Sequence, residues 1–351
     1  MKGQKGEQNK LLTGQDSVMA YETEDQETQY CFPDINSSCV KEQRLRHGFN
    51  ITYFFVSLLS AWTVFLNLLV IISISHFKKL HTPTNMIILS LAVTDLLIGF
   101  VMPVEAIRLT DKCWYFGDTF CGLYLLFVSL LLSTSLGNLV LIAVDRYMAV
   151  CHPLLYPQKI TVTNMLMSIC LNWACISAYN TSLIVNNGHF GTSHGIDVCH
   201  GECLFMLSFS WTVTDLCISL IFPCTMIIML YLRIFYVVHQ QVKDINSLMK
   251  GGKCVSEGSV KKKSEIKAAL TLGIMVSVYM LCYIPYYICS LTVISSTTLN
   301  VLIWTLHANS GLNPLVYALF YRWFKKTAKL ILTLKIFLPA SSLINIFSRN
   351  E

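Results

Sequence analysis

The sequence predicts an all-α membrane protein: a seven-transmembrane helix bundle followed by an amphipathic cytoplasmic eighth helix. Three observations carry that prediction. Of the 351 residues, 54% are hydrophobic and only 13% charged, against about 25% charged in a soluble domain, and the mean hydropathy is +0.55. Seven apolar runs, each of the ~20 residues that a helix needs to cross a hydrocarbon core, fall at 52–76, 85–108, 118–150, 162–186, 205–237, 265–291 and 297–320. Basic residues gather at alternate ends of these runs, which orients the chain.

The elements follow in order. Residues 1–50 form a polar extracellular tail with eight Asp/Glu against six Lys/Arg. The tail carries the sequons Asn36-Ser37-Ser38 and Asn50-Ile51-Thr52, so Asn36 and Asn50 are candidate glycosylation sites. Its first 18 residues lack an apolar core, so no cleavable signal peptide is expected; Met1 and Met19 both remain open as the start. Residues 51–321 make the bundle. Phe77-Lys78-Lys79 after the first run face the cytoplasm. So do Lys243, Lys250, Lys253 and Lys261 to Lys263 between the fifth and sixth runs, and Lys325 and Lys326 after the seventh. The third sequon, Asn180-Thr181-Ser182, lies at a helix end and is expected to be idle. Residues 322–351 are a cytoplasmic tail opening with the amphipathic stretch Arg322 to Leu334, which reads as a helix lying along the membrane. Basic residues do not cluster with exposed aromatics, so nucleic acid is not an expected partner. The lipid bilayer is.

Polar residues inside the runs mark function. Asp215 is the ionised residue in the stretch FSWTVTDLCISLIFP. Ser208, Thr212, Asp215 and Ser219 recur at helical spacing as one polar stripe on an apolar helix. Such a stripe faces the bundle, and a buried carboxylate there needs a partner. Asp95 in the second run needs a cation, a proton or several donors. With Ser135, Asn309 and Asn313 it offers oxygens for a sodium ion; the other reading is a protonated Asp95 in a hydrogen-bonded water network. No nucleophile–base pair or metal-spaced cluster stands in the runs, so an enzyme is not expected. Repeated halves, as in transporters, are absent. Of 14 cysteines, Cys31, Cys39, Cys113, Cys121, Cys199 and Cys203 lie in polar stretches or at run edges, as expected of an oxidised outer face. Six cysteines allow fifteen pairings, and spacing does not choose among them.

Asn67, LAVTD ending at Asp95, DRY at 145–147, Trp173, Pro223, Pro285 and NPLVY at 313–317 stand one signature per helix, in order. Together they resemble rhodopsin-like (class A) G-protein-coupled receptors. CFPDINSSC at 31–39, CWYFGDTFCGLY at 113–124, CHGEC at 199–203 and NSGLNPLVYALFYRWFKK at 309–326 resemble trace amine-associated receptors, chemosensory receptors for small volatile amines. The resemblance implies a plasma-membrane receptor with its N-terminus outside. It also implies a small amine ligand, a heterotrimeric G protein of the stimulatory, cAMP-raising or olfactory type, arrestin, and no cofactor beyond an allosteric sodium ion. It implies the disulfides Cys121–Cys203 and Cys39–Cys199, and leaves Cys31 and Cys113 undecided.

In most amine receptors the ammonium meets a carboxylate on helix three, eighteen residues before the Arg of DRY. Here that position is Val128, which cannot bind a cation. A fish-expanded branch of the family is similar in lacking that aspartate and carrying one on helix five, so the resemblance places the amine at Asp215. An alkylammonium would neutralise Asp215 through charge-assisted hydrogen bonds. Thr212, Tyr124, Tyr286, Tyr287, Trp211 and Trp304 are candidate neighbours, the aromatic faces among them able to share a cation. Glu105, ten residues after Asp95, is a second carboxylate; facing the pocket it would let a diamine or polyamine bridge Glu105 and Asp215, and the other reading is a loop-edge Glu facing water. His307 faces the expected pocket, where it either hydrogen-bonds the ligand or Glu105 or, as the favoured reading, is a satisfied buried histidine. Because position 307 is not lysine, a retinal Schiff base is excluded there. The competing reading is a class A receptor for a peptide or neutral odorant, with Asp215 structural.

For activation the resemblance implies a lock of Arg146 with Asp145 and with Glu265, twenty residues before Pro285. Tyr231 and Tyr317 turn inward when it opens, and Asn313 and Pro314 belong to the same switch. The family's Trp two residues before Pro285 is Tyr283 here, so the trigger beneath the pocket differs.

Overall fold

The computed structural model describes residues 30–35, 37–40, 46–186, 199–204, 207–250, 257–291, 296–338 and 341–343. The seven spans are α1 (Arg46–His76), α2 (Pro83–Ala106), α3 (Asp118–Cys151), α5 (Val162–Asn186), a fifth made of α6 (Phe209–Asp215) and α7 (Phe222–Lys250), α8 (Glu257–Ser290) and α9 (Ser296–Phe320). A one-turn α4 (Tyr156–Lys159) joins α3 to α5, and α10 (Arg322–Leu332) follows the seventh span. Among the described residues six helices have both the length and the hydropathy to cross a membrane. α9 has the length, 25 residues, but its His307, Asn309, Ser310 and Asn313 point inward and lower its mean hydropathy. Its outer face still offers Val301, Leu312 and Leu319, all exposed.

Local chemistry fixes the helix ends. Thr82 caps α2, its hydroxyl accepting from the Asn85 N–H at 3.3 Å, and Pro83 sits at the first helical position. α2 leaves through a π-helical turn, Ile107–Asp111, closed by a left-handed Lys112 (φ 53°). A second π turn, Leu216–Ile221, separates α6 from α7. α9 stops at Phe320, Tyr321 is extended, and α10 turns its Trp323, Phe324 and Thr327 inward. The chain then doubles back: Ser341 Oγ lies 3.0 Å from His76 Nε2 at the end of α1.

With no hydrophobic drive between helices in lipid, packing and interhelical hydrogen bonds hold a bundle together. Asn67 Nδ2 donates to the carbonyls of Thr63 (2.9 Å) and Ser310 (3.1 Å), joining α1 to α9. Trp173 Nε1 donates to Ser90 Oγ (3.1 Å), which donates to Asn138 Oδ1 (3.1 Å), joining α5, α2 and α3. α1 and α2 approach closely at Gly99, where an added methyl would lie 2.9 Å from Val64 Cγ2.

The outer mouth is cross-linked. Cys31–Cys113, Cys39–Cys199 and Cys121–Cys203 are disulfides. The second and third are the pairs the resemblance implies; the first settles a pairing that spacing left open. The tail lies against the second outer loop through an isolated parallel bridge, Ser38 with His200, and Phe32 packs edge-on against the His200 ring. Asn36 and the side chain of Asn50 lie outside the described residues. Asn180 is 2% exposed, so its sequon is unusable.

Candidate functional site

Beneath this cap lies a cavity of about 390 Å³ bounded by the second, third, fourth, fifth, sixth and seventh spans. That is the size of a small-molecule site. The long apolar helices put the polar residues where helix periodicity turns them inward, and the π turn Leu216–Ile221 follows directly on Asp215.

Asp215 lines the cavity. Its Oδ1 accepts from Ser219 Oγ at 2.6 Å and from Tyr179 Oη at 3.0 Å. Among the described residues no Lys or Arg pairs with it, and no hydrogen bond goes to its Oδ2. Thr212, Val128, Tyr286, Tyr287 and His307 line the same cavity. Tyr283 lines it too and stacks on Tyr279 at 3.8 Å between ring centroids, in place of the family's indole.

Four expectations need correction. Glu105 lines the cavity but is not a free carboxylate. Arg108 donates to it through Nε (3.0 Å) and Nη2 (2.5 Å), and Tyr124 Oη donates at 2.6 Å. A diamine bridge from Glu105 to Asp215 would have to displace this internal cation. Tyr124 itself lines the cavity, as expected of it, while its hydroxyl donates to Glu105. Trp304 packs outside the cavity, against the cluster of Val56, Ile98, Met102, Ala106 and Leu131. Trp211 and Ser208 are likewise absent from the lining.

Arg108 and Tyr179 were missed by the sequence reading. The Glu105–Arg108 spacing of three is a helix-pairing signal, but Arg108 closes the second run and reads there as a loop-edge charge. Tyr179 carries no sequence signal separating it from an interfacial aromatic.

Deeper in the bundle Asp95 is fully buried. It accepts from Ser135 Oγ (3.2 Å) and from Asn313 Nδ2 (2.7 Å). Asn309 Oδ1 is buried and, among the described residues, has no hydrogen-bond partner. In this arrangement Asn313 serves Asp95 as a donor, not as an oxygen ligand.

The profile of the 7 transmembrane receptor (rhodopsin family) matches residues 66–317. Trace amine-associated receptor 13c of Danio rerio is 40% identical over 333 residues, 92% of this chain and 97% of its own. Trace amine-associated receptor 9 of Mus musculus is 36% identical over 334 residues (91% and 94%). Trace amine-associated receptor 1 of Macaca mulatta is 35% identical over 332 residues (91% and 98%). The chain belongs to the trace amine-associated receptors of the rhodopsin family. It is a multi-pass plasma-membrane receptor with an extracellular N-terminus, and not an enzyme.

At the receptor's cytoplasmic end Arg146 is held by its neighbour. Asp145 Oδ2 accepts from Arg146 Nε (2.9 Å), Arg146 Nη2 (2.5 Å) and Thr84 Oγ1 (2.8 Å). Tyr156 Oη donates to Asp145 Oδ1 at 2.9 Å. Burial, and then the Asp145 charge, push the Tyr156 phenol up to about 12, so it stays a donor at any physiological pH. The lock's other half, Glu265, has its side chain outside the described residues. Tyr231 and Tyr317 are buried, and among the described residues neither hydroxyl has a hydrogen-bond partner. Pro314 is buried beside Asn313 within α9.

Proposed function

We propose that this receptor detects small protonated amines, with Asp215 as the counter-charge, and signals through a stimulatory or olfactory-type G protein that raises cAMP, with arrestin as a later partner. One observation carries the reading. A carboxylate sits in a capped cavity, oriented by two hydroxyls and paired with no cation among the described residues. An intramembrane carboxylate without a cation is costly. An alkylammonium supplies the missing charge and short hydrogen bonds, and Tyr286 and Tyr287 add π faces at the same wall. The ligand then acts as a population switch: it favours whichever bundle arrangement brings these groups closest around the ammonium.

The two hydroxyls on Asp215 Oδ1 also favour a second reading, in which the carboxylate is structural and the ligand a peptide or neutral odorant. A cAMP reporter assay with mono-, di- and polyamines beside uncharged alcohols of matching shape separates the two. Amines should activate and their neutral isosteres should not. Equal activation by the isosteres would establish the second reading.

We also infer that Asp95 holds a sodium ion. Asn309 Oδ1, buried and unmet, and Asp95 with Ser135 form a hard-oxygen set suited to that cation. Asn313 joins as a ligand if its amide turns about, since carbonyl and amino ends are interchangeable in shape. Replacing choline chloride by sodium chloride should raise the unfolding temperature of purified receptor by a few degrees, and Asp95→Asn should abolish the increment. An increment that persists in that variant would refute the site.

A further inference from the structure

Away from Asp215 the cavity has a second polar wall that an ammonium alone does not use. His307 on α9 is 1% exposed and lines the cavity. Its Nδ1 lies 2.9 Å from the carbonyl oxygen of Ile303. A carbonyl only accepts, so Nδ1 carries a proton, and in the tautomer whose single proton is there Nε2 is an acceptor. Nε2 is buried and, among the described residues, has no hydrogen-bond partner. Buried acceptors are seldom left unmet. Glu105 cannot meet it, because an ionised carboxylate has no proton to give and its oxygens already serve Arg108 and Tyr124.

Charge decides what kind of donor belongs there. Among the described residues, Asp215 and Glu105 are the two carboxylates lining the cavity, and Arg108 is the cation lining it. Arg108 is spent on Glu105. One negative charge, that of Asp215, is left for a ligand. A dication would therefore carry a second charge into a wall whose own charges already cancel, and would lose its hydration without compensation. An uncharged donor has no such cost.

We propose that the ligand is a two-point monocation: an ammonium on Asp215 and an uncharged O–H or N–H donor on His307 Nε2, as in an amino alcohol. The two anchors lie on the fifth and seventh spans, with the sixth span and its Tyr283, Tyr286 and Tyr287 between them. A ligand joining both would press on the span that carries Tyr283. This inference rests on the amine reading of Asp215.

The test uses the full-length receptor in a cAMP reporter cell with three series of equal chain lengths: n-alkylamines, ω-amino alcohols and α,ω-diamines. At one chain length the amino alcohol should exceed both the alkylamine and the diamine by about tenfold in potency, the worth of one well-made buried hydrogen bond. In His307→Phe, which keeps a ring and loses the acceptor, the ratio of amino alcohol to alkylamine should fall to about one. His307→Gln, which returns an acceptor oxygen, should restore part of it. Equal potency of the first two series in the wild type, a ratio unchanged by His307→Phe, or diamines as the best agonists would each overturn the proposal. If neither variant reaches the cell surface, the wild-type series still decides by itself. Amines that activate through Asp215 without any His307-dependent ratio would sink this inference alone. No response to any amine would sink both.

Discussion

Asp215→Asn is expected to abolish the response to amines while leaving the receptor at the cell surface. Asparagine keeps the carbonyl oxygen that accepts from Ser219 and Tyr179, so the local hydrogen bonds survive and only the charge is lost. Removing one partner of a buried, hydrogen-bonded charge pair costs about 2–5 kcal/mol, or roughly thirty- to several-thousand-fold in affinity. Asp215→Glu keeps the charge but moves it by one methylene. It should fall between the two. The measurement is a concentration–response curve normalised to surface receptor counted by an N-terminal epitope tag. Undiminished potency in Asp215→Asn would assign this carboxylate to structure alone.

The largest effect on stability is expected from Arg108→Met. Arg108 and Glu105 are both nearly inaccessible, with side chains 11% and 3% exposed. Deleting the cation strands a carboxylate in the bundle, a loss of about 3–5 kcal/mol. The same change removes the donation from Arg108 Nη1 to the Cys203 carbonyl at 3.1 Å. Surface expression and the unfolding temperature in detergent should both fall sharply. The double variant Glu105→Gln/Arg108→Met, which has no stranded charge, should recover most of the loss, because replacing a whole buried ion pair is far cheaper than breaking it. An Arg108→Met receptor as stable as the wild type, or a double variant no better than the single, would show that the pair does not govern stability.

The spans were legible because a bilayer demands about 20 apolar residues per helix, and the runs begin and end within a few residues of the helices for the first four spans and the seventh. The fifth and sixth helices extend further into the cytoplasm, as Phe222–Lys250 and Glu257–Ser290. Hydropathy marks where lipid stops, not where backbone hydrogen bonding stops. Asp215 was legible for the converse reason: a lone carboxylate in an apolar run has few roles open to it. Glu105 was read as free because its neutraliser sits in a π turn at the end of the run, where sequence cannot separate an inward guanidinium from a solvated one. Trp304 shows the same limit. Periodicity places it on the inner half of α9 but not on the side of that half facing α1 and α2.

The cystine connectivity has a consequence for how this protein is made. In order of synthesis the outer cysteines are 31, 39, 113, 121, 199 and 203, and native bonds join 31 to 113, 39 to 199 and 121 to 203. Pairing each cysteine with the next to enter the lumen would give 31–39, 113–121 and 199–203, none of them native. Maturation therefore cannot finish before the fourth span is inserted, and any such neighbour bond must first be undone by thiol–disulfide exchange, through a mixed-disulfide intermediate. Its throughput should track the supply of disulfide isomerase in the secretory pathway of the host cell.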